Sequence, residues 1–166
     1  MNENNWNQFT KRITINAPAP EIYEAWATQN GLESWFLRKA QFTRHHKDMV
    51  GRNIPVEKGD TYEWTWFGYP ETMAERHTML AANGKDYLQF RFSGGCIVSV
   101  HIKEESRETI CELVQDNSPA EESKRQMFYL ECSTGWTFYL ANLKSILEGG
   151  IDLRNKNDQI HKVINS

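Results

Sequence analysis

The chain has 166 residues and carries 19 Lys and Arg against 22 Asp and Glu, a formal net charge of −3. That length suits one domain, and the slightly acidic balance lacks the basic field by which proteins hold nucleic acid or an anionic membrane. Apolar residues are only 39%, yet 6 Trp, 6 Tyr and 8 Phe can fill a core or line a cavity, which excludes a disordered chain.

Residues 1–12 are polar and hold no apolar stretch of the kind a secretory signal needs. From 8 to 16, Phe9, Lys11, Ile13 and Ile15 alternate with Thr10, Arg12, Thr14 and Asn16, the period-two pattern of a strand. Ala17-Pro18-Ala19-Pro20 stops it, and Pro20 suits the first turn of a helix. Ile22, Ala25, Trp26 and Gln29 follow at helical spacing, and Asn30-Gly31 reads as the stop. Leu32, Trp35 and Phe36 give a second short helix, so that Trp26, Trp35 and Phe36 plug one end of the sheet to come.

Strands are predicted at 39–45, 61–67, 72–80, 87–92, 96–103 and 108–115, with Tyr62, Trp64 and Trp66 on one face. The loops are short enough for hairpins, hence antiparallel pairing. A three-residue loop at Ser93-Gly94-Gly95 sets Phe92 against Cys96, Phe90 against Val98 and Leu88 against Val100. A turn at Glu105-Ser106 sets Val100 against Cys111, Val98 against Leu113 and Cys96 against Gln115. A turn at Asn83-Gly84 sets Met79 against Leu88, His77 against Phe90 and Glu75 against Phe92. These registers keep one face mainly apolar, which a one-residue slip would destroy.

Ser118-Pro119-Ala120-Glu121 reads as a capping box for a long final helix. Its apolar face combines Met127, Leu130, Thr134, Phe138 and Ala141 with Trp136, Leu140, Leu143 and Leu147, and Gly149-Gly150 ends it. Residues 1–150 thus form one domain and 151–166 a polar tail. The expected fold is α+β: a curved antiparallel sheet around a long C-terminal helix, with two short N-terminal helices. No apolar run approaches the roughly 18 residues of a membrane span, so no membrane insertion is expected. Cys96, Cys111 and Cys132 are odd in number and widely spaced, which argues against disulfides and zinc and for a reducing cytoplasm.

Trp64, Trp66, Phe90 and Phe92 fall on the inward face, opposite a helix carrying Thr134, Gly135 and Ala141. Each ring alone reads first as core; together they read equally as the wall of a pocket. Glu75 and His77, two apart on one strand, point the same way. They are either a polar anchor or acid–base pair beside those rings, or the register slips by one and Arg76 points in instead, or both lie at the wet sheet edge. Gln115, Thr134 and Phe138 complete the candidate ligand-binding set. His45-His46 are adjacent, so a strand would aim them to opposite faces, away from any common metal. Cys96 and Cys111 read as buried small residues. No metal cluster, phosphate loop or nucleophile elbow is present, and no cofactor is expected.

Ala17-Pro18 followed by Glu21-Ile22-Tyr23-Glu24-Ala25-Trp26, together with Leu32-Glu33-Ser34-Trp35-Phe36, resembles the start of START-like helix-grip proteins. The run from Gly135 to Lys144 is similar to the terminal helix of one branch, related to the C-terminal domain of the activator of the ninety-kilodalton heat-shock ATPase. The likeness spans about residues 9–150. Members often carry a His near the end of the last strand, a place held here by Gln115. The fold hosts transporters, sensors, cyclases and chaperone cofactors, so it does not name an activity. The leading reading is a cavity between sheet and helix that binds a small lipophilic molecule. The resemblance implies an alternative, interaction with a chaperone. The residues allow another, a cyclase- or hydrolase-like enzyme using Glu75 and His77.

Overall fold

The computed structural model describes residues 5–164. Its eight antiparallel strands form a sheet of order β1-β8-β7-β6-β5-β4-β2-β3. They are β1 (Gln8–Thr14), β2 (Lys39–Arg44), β3 (Asp48–Met49), β4 (Thr61–Thr65), β5 (Glu75–Ala82), β6 (Tyr87–Arg91), β7 (Ile97–Glu105) and β8 (Glu108–Asp116). The helices are α1 (Ala19–Ala27), α2 (Gln29–Trp35) and α3 (Arg125–Leu147). This is the expected fold with one added strand, β3. His45 and His46 stand in the exposed turn before it, both with positive φ, rather than on a strand.

The Ser93-Gly94-Gly95 loop produces the predicted register, with Phe90 opposite Val98 and Leu88 opposite Val100. Gly94 takes φ +68°, and any Cβ there would collide with the Phe128 ring. The next hairpin turns one residue later than predicted, at Ser106-Arg107, both with positive φ. Val100 therefore faces Leu113, Val98 faces Gln115 and Ile102 faces Cys111. That moves each partner by two positions, which preserves the inward face because side chains alternate with period two.

The Asn83-Gly84 hairpin also differs. Asn83 Oδ1 accepts from the backbone N–H groups of Lys85, Asp86 and Tyr87 at 2.9–3.0 Å, which stabilises a longer loop. A bulge follows between Met79 and Ala81, so Met79 lies opposite Phe90 and Ala82 opposite Leu88. Glu75 and His77 do not face Phe92 and Phe90; their paired neighbours on β4 are Trp64 and Tyr62.

Thr28 separates the first two helices by serving both. Its hydroxyl donates to Glu24 O at 3.0 Å, the end of α1, and accepts from Gly31 N–H at 2.9 Å, the start of α2. Gly31 thus lies inside α2 instead of stopping α1. A Cβ there would strike Glu24 O and sit 2.8 Å from Ala25 Cα, so the glycine permits the close approach of the two helices. The predicted capping box is absent. Asp116 Oδ1 takes Ser118 N–H at 2.9 Å in a local turn, and α3 begins only at Arg125, without a side-chain cap.

α3 lies across the concave face. Trp136, Tyr139, Leu140, Asn142 and Leu143 are its buried residues. Of the two predicted stripes, the one through Trp136 faces the sheet. Met127, Leu130, Thr134 and Ala141 are exposed, and Phe138 is half-buried. Trp26, Trp35 and Phe36 are buried where α1 and α2 close one end of the sheet. Among the described residues, no helix is long and apolar enough to cross a membrane.

The stretch after α3 docks under α2. The last carbonyls of a helix have no partner within it. Here Arg154 Nη2 donates to Glu33 O and Ser34 O, and its Nη1 to Leu37 O, each at 3.0 Å. Asn142 Nδ2 donates to Trp35 O at 2.7 Å, while its Oδ1 accepts from Leu153 N–H at 2.7 Å. These bonds fix the chain on either side of Phe36, the residue at which the site begins.

Candidate functional site

Phe36 supplies one wall of an open-sided cleft of about 760 Å³ between α3 and the sheet. Its ring centroid lies 5.6 Å from Trp66 and 4.9 Å from each of Trp136 and Tyr139. Phe92 continues the wall, 6.2 Å from Trp66 and 5.4 Å from Trp136. Tyr69, Met73 and Leu130 form an apolar rim, and Ser93, Glu75, Glu131, Cys132, Thr134 and Gly135 also line the space. The site therefore draws on the chain after α2, the β4–β5 connection, the β6–β7 loop and the first half of α3.

Of the candidate residues, Trp66, Glu75, Phe92 and Thr134 meet at the cleft. Trp64 and Phe90 lie deeper, each 1% exposed, with ring centroids 5.2 Å apart. They are core rather than wall. Phe138 packs edge-on against Tyr139 at 5.3 Å and does not line the cleft. Gln115 is fully buried. Its Oε1 accepts from Trp136 Nε1 at 2.8 Å and its Nε2 donates to Asn117 Oδ1 at 2.9 Å. It locks α3 onto β8 through the Trp136 ring and also bonds Cys132, so it reaches the cleft through those two residues rather than lining it.

Glu75 and His77 do meet: His77 Nε2 lies 3.1 Å from Glu75 Oε2. Ser93 Oγ donates to the other oxygen, Oε1, at 2.5 Å. A Ser–His–acid triad needs the His between nucleophile and acid. Here the carboxylate is in the middle, so His77 has no Ser hydroxyl to deprotonate. His77 stands outside the cleft and contributes to a smaller depression of about 380 Å³ with Gln41, Thr43 and Arg76. Glu75 thus stands in the cleft wall, with one carboxylate oxygen on Ser93 and the other on His77.

The remaining groups are passive. Burial pushes the Cys111 thiol up to about 12 and the Cys96 thiol up to about 11, so neither is a nucleophile near neutral pH. Cys132, on the cleft, is raised by burial and further by the charges of Glu131 and Glu75. All three cysteines are free. Among the described residues, no group of three His, Cys, Asp or Glu side chains could hold a metal ion.

Sequence reasoning did not place Phe36, Ser93, Trp136 and Tyr139 in the site. Phe36 and Trp136 read as packing residues, because a ring's role as wall depends on which neighbour is missing. One signal was available: Gly135 interrupts the middle of a long helix, where Gly costs about 1 kcal/mol relative to Ala. A Cβ at Gly135 would find nothing within 4 Å, so the glycine opens onto empty space.

The sequence profile of the family described as "Activator of Hsp90 ATPase homolog 1-like protein" matches residues 16–148. The chain belongs to this family. Its helix-grip fold recurs in solved structures. A protein from Staphylococcus saprophyticus superposes with a TM-score of 0.67 at 15% identity, covering 89% of this chain and 96% of that one. The Aha1 dimer of Colwellia psychrerythraea gives 0.63 at 21% identity, covering 86% and 97%. A protein of the dynemicin biosynthetic locus gives 0.65 at 16% identity, covering 90% of this chain and 50% of that one. At such identities the likeness is one of fold. A search of curated proteins gives no match.

Proposed function

We propose that this Aha1-type domain binds a small lipophilic molecule in the cleft between α3 and the sheet. The carrying observation is the 760 Å³ space walled by Phe36, Trp66, Phe92, Trp136 and Tyr139. Binding clefts are concave, mostly apolar, and hold a few placed polar groups. Glu75, Ser93 and Thr134 are such groups here. Gly135 supports the reading because it gives up helix stability where a side chain would fill the space. The free cysteines suit a reducing compartment, and we place the protein in the cytoplasm.

Gly135→Leu separates binding from folding. The new side chain enters the cleft without meeting another residue at its Cβ, and the helix gains about 0.5–1 kcal/mol on losing its glycine. Denaturation should show equal or higher stability. In the wild type, a ligand at a hundred times its dissociation constant should raise stability by about 2.7 kcal/mol. A thermal-shift screen of fatty acids, isoprenoids, flavonoids, polyketide-like aromatics and lipophilic amines reads that effect, and native mass spectrometry of freshly purified protein reads any ligand carried through. Shifts in the wild type that vanish in Gly135→Leu support the cleft as the site. No shift and no carried ligand would refute the reading.

Family membership favours a second reading, contact with a chaperone ATPase. The check is the ATPase rate of purified Hsp90 with and without this chain. Stimulation that survives Gly135→Leu would assign the interaction to another surface; an unchanged rate would remove this reading.

A further inference from the structure

We infer that the cleft selects a lipophilic molecule bearing a cationic, ammonium-type head, anchored by Glu75. This deepens the proposed function and rests on the cleft being a ligand site. The ionisable lining is one-sided: Glu75 and Glu131 stand in the wall, and no Lys, Arg or His is among the described lining residues. Arg154 acts electrostatically on Tyr139, but its side chain is 1% exposed and paired with Asp152 at 2.7 Å, so it is neither accessible nor uncompensated. The charged side chains that line the cleft are therefore both carboxylates, one of them in contact with His77. Cys132 lies on the same wall: burial raises its thiol, a hydrogen bond with Gln115 lowers it, and the charges of Glu131 and Glu75 raise it further.

The apolar walls act in the same sense. An aromatic face carries the negative part of the ring's quadrupole and attracts a cation within about 6 Å of the centroid. A neutral lipophile satisfies the rings and leaves the carboxylates facing an apolar surface. An anionic one, such as a fatty acid carboxylate, adds repulsion.

Glu75 also has capacity to spare. An ionised carboxylate offers about four lone-pair positions. Ser93 takes one on Oε1 and His77 addresses Oε2. Those two contacts hold the side chain in place and leave acceptor positions for an ammonium N–H. Its side chain is 29% exposed, enough for a ligand to reach it from the cleft.

Two matched series test the inference by isothermal titration calorimetry on the full chain: 1-naphthylmethylamine, 1-naphthalenemethanol and 1-naphthoate, then decylamine, 1-decanol and decanoate. Within each series only the head group differs. A charge-assisted hydrogen bond should make the amine bind about tenfold more tightly than the alcohol, and the carboxylate should bind weakest. Glu75→Gln should bring amine and alcohol to within about twofold, while Glu131→Gln, at an exposed position, should reduce the preference less. Equal affinities, or a tighter carboxylate, would overturn the inference and leave the cleft standing as a neutral lipophile site. Absence of binding by every compound would overturn both. If Glu75→Gln does not fold, the wild-type order of head groups decides alone.

Discussion

Trp26→Ala is expected to destabilise the protein by about 3–5 kcal/mol, the usual loss for truncating a buried aromatic. Trp26 is 2% exposed. Its ring meets Trp35 edge-on at 4.6 Å and lies 5.8 Å from Trp136, so it joins the helix pair to α3. Removing it also loosens Trp35, whose Nε1 donates to Ala25 O at 2.9 Å, next to the cut. Urea denaturation monitored by far-UV circular dichroism measures the change, since the remaining tryptophans confuse a fluorescence signal. A loss below about 1 kcal/mol, the scale of surface substitutions, would show that the plug is not part of the core.

Arg154→Met should cost a comparable amount, about 3–5 kcal/mol, the scale expected when several buried acceptors lose their donor at about 1–3 kcal/mol each. Its guanidinium serves the carbonyls of Glu33, Ser34 and Leu37 together with the Asp152 carboxylate. Methionine matches the stem and leaves the three carbonyls without that donor, while Asp152 keeps Lys156 at 2.9 Å and the Arg154 backbone N–H at 3.1 Å. The substitution also changes the acid limb of stability. Burial disfavours the Asp152 charge, but hydrogen bonds from Arg154 and Lys156 outweigh it and hold the carboxyl well below the usual range. A carboxyl whose folded pKa lies below its unfolded value of about 4 contributes stability above that value. The contribution disappears as pH falls towards the folded pKa. Wild-type stability should therefore drop as pH is lowered from about 5. The Arg154→Met protein should show a shallower drop, because the guanidinium's share of that contribution is gone while those of Lys156 and the Arg154 backbone N–H remain. Parallel urea titrations at stepped pH measure both slopes, and identical slopes would show that Arg154 does not set the Asp152 charge.

These two residues differ in how far local pattern exposed them. Trp26 sits at helical spacing with Ile22, and its burial follows from period alone. Arg154 lies in a polar stretch that reads as solvated tail. Its partners are backbone carbonyls more than a hundred residues earlier in the chain, and a carbonyl carries no sequence signal. Asn142 was hidden for the same reason: within an apolar helix pattern it looks like a tolerated polar residue, whereas it joins α2, α3 and the following segment.

The strand registers divide along a similar line. The Ser93-Gly94-Gly95 hairpin was legible because its loop length and its glycines specify the turn, and the apolar face checks the parity. The β7–β8 hairpin kept that parity and moved by two positions; in the β5–β6 hairpin Met79 moved by two, while the bulge displaces Ala81 and Ala82 by three. Parity follows from alternation, which any even shift satisfies, while the partner depends on turn geometry and on a bulge. That shift decided the site: it carried Glu75 away from Phe92 and into reach of Ser93.

Alternation, helical period and turn residues by themselves determined the α+β helix-grip architecture, the inward face of the sheet, and the aromatic character of whatever lies between sheet and helix. Those signals are local, and each repeats along its element. Only the tertiary structure decided that Phe36, Trp66 and Phe92 are wall while Trp64 and Phe90 are core. It also decided that Glu75 faces the cleft while His77 stands behind it, and that the stripe of α3 through Trp136 packs inward. A cavity is the absence of a neighbour, and which neighbour is absent depends on the angle at which a whole helix crosses a whole sheet. No single segment encodes that angle.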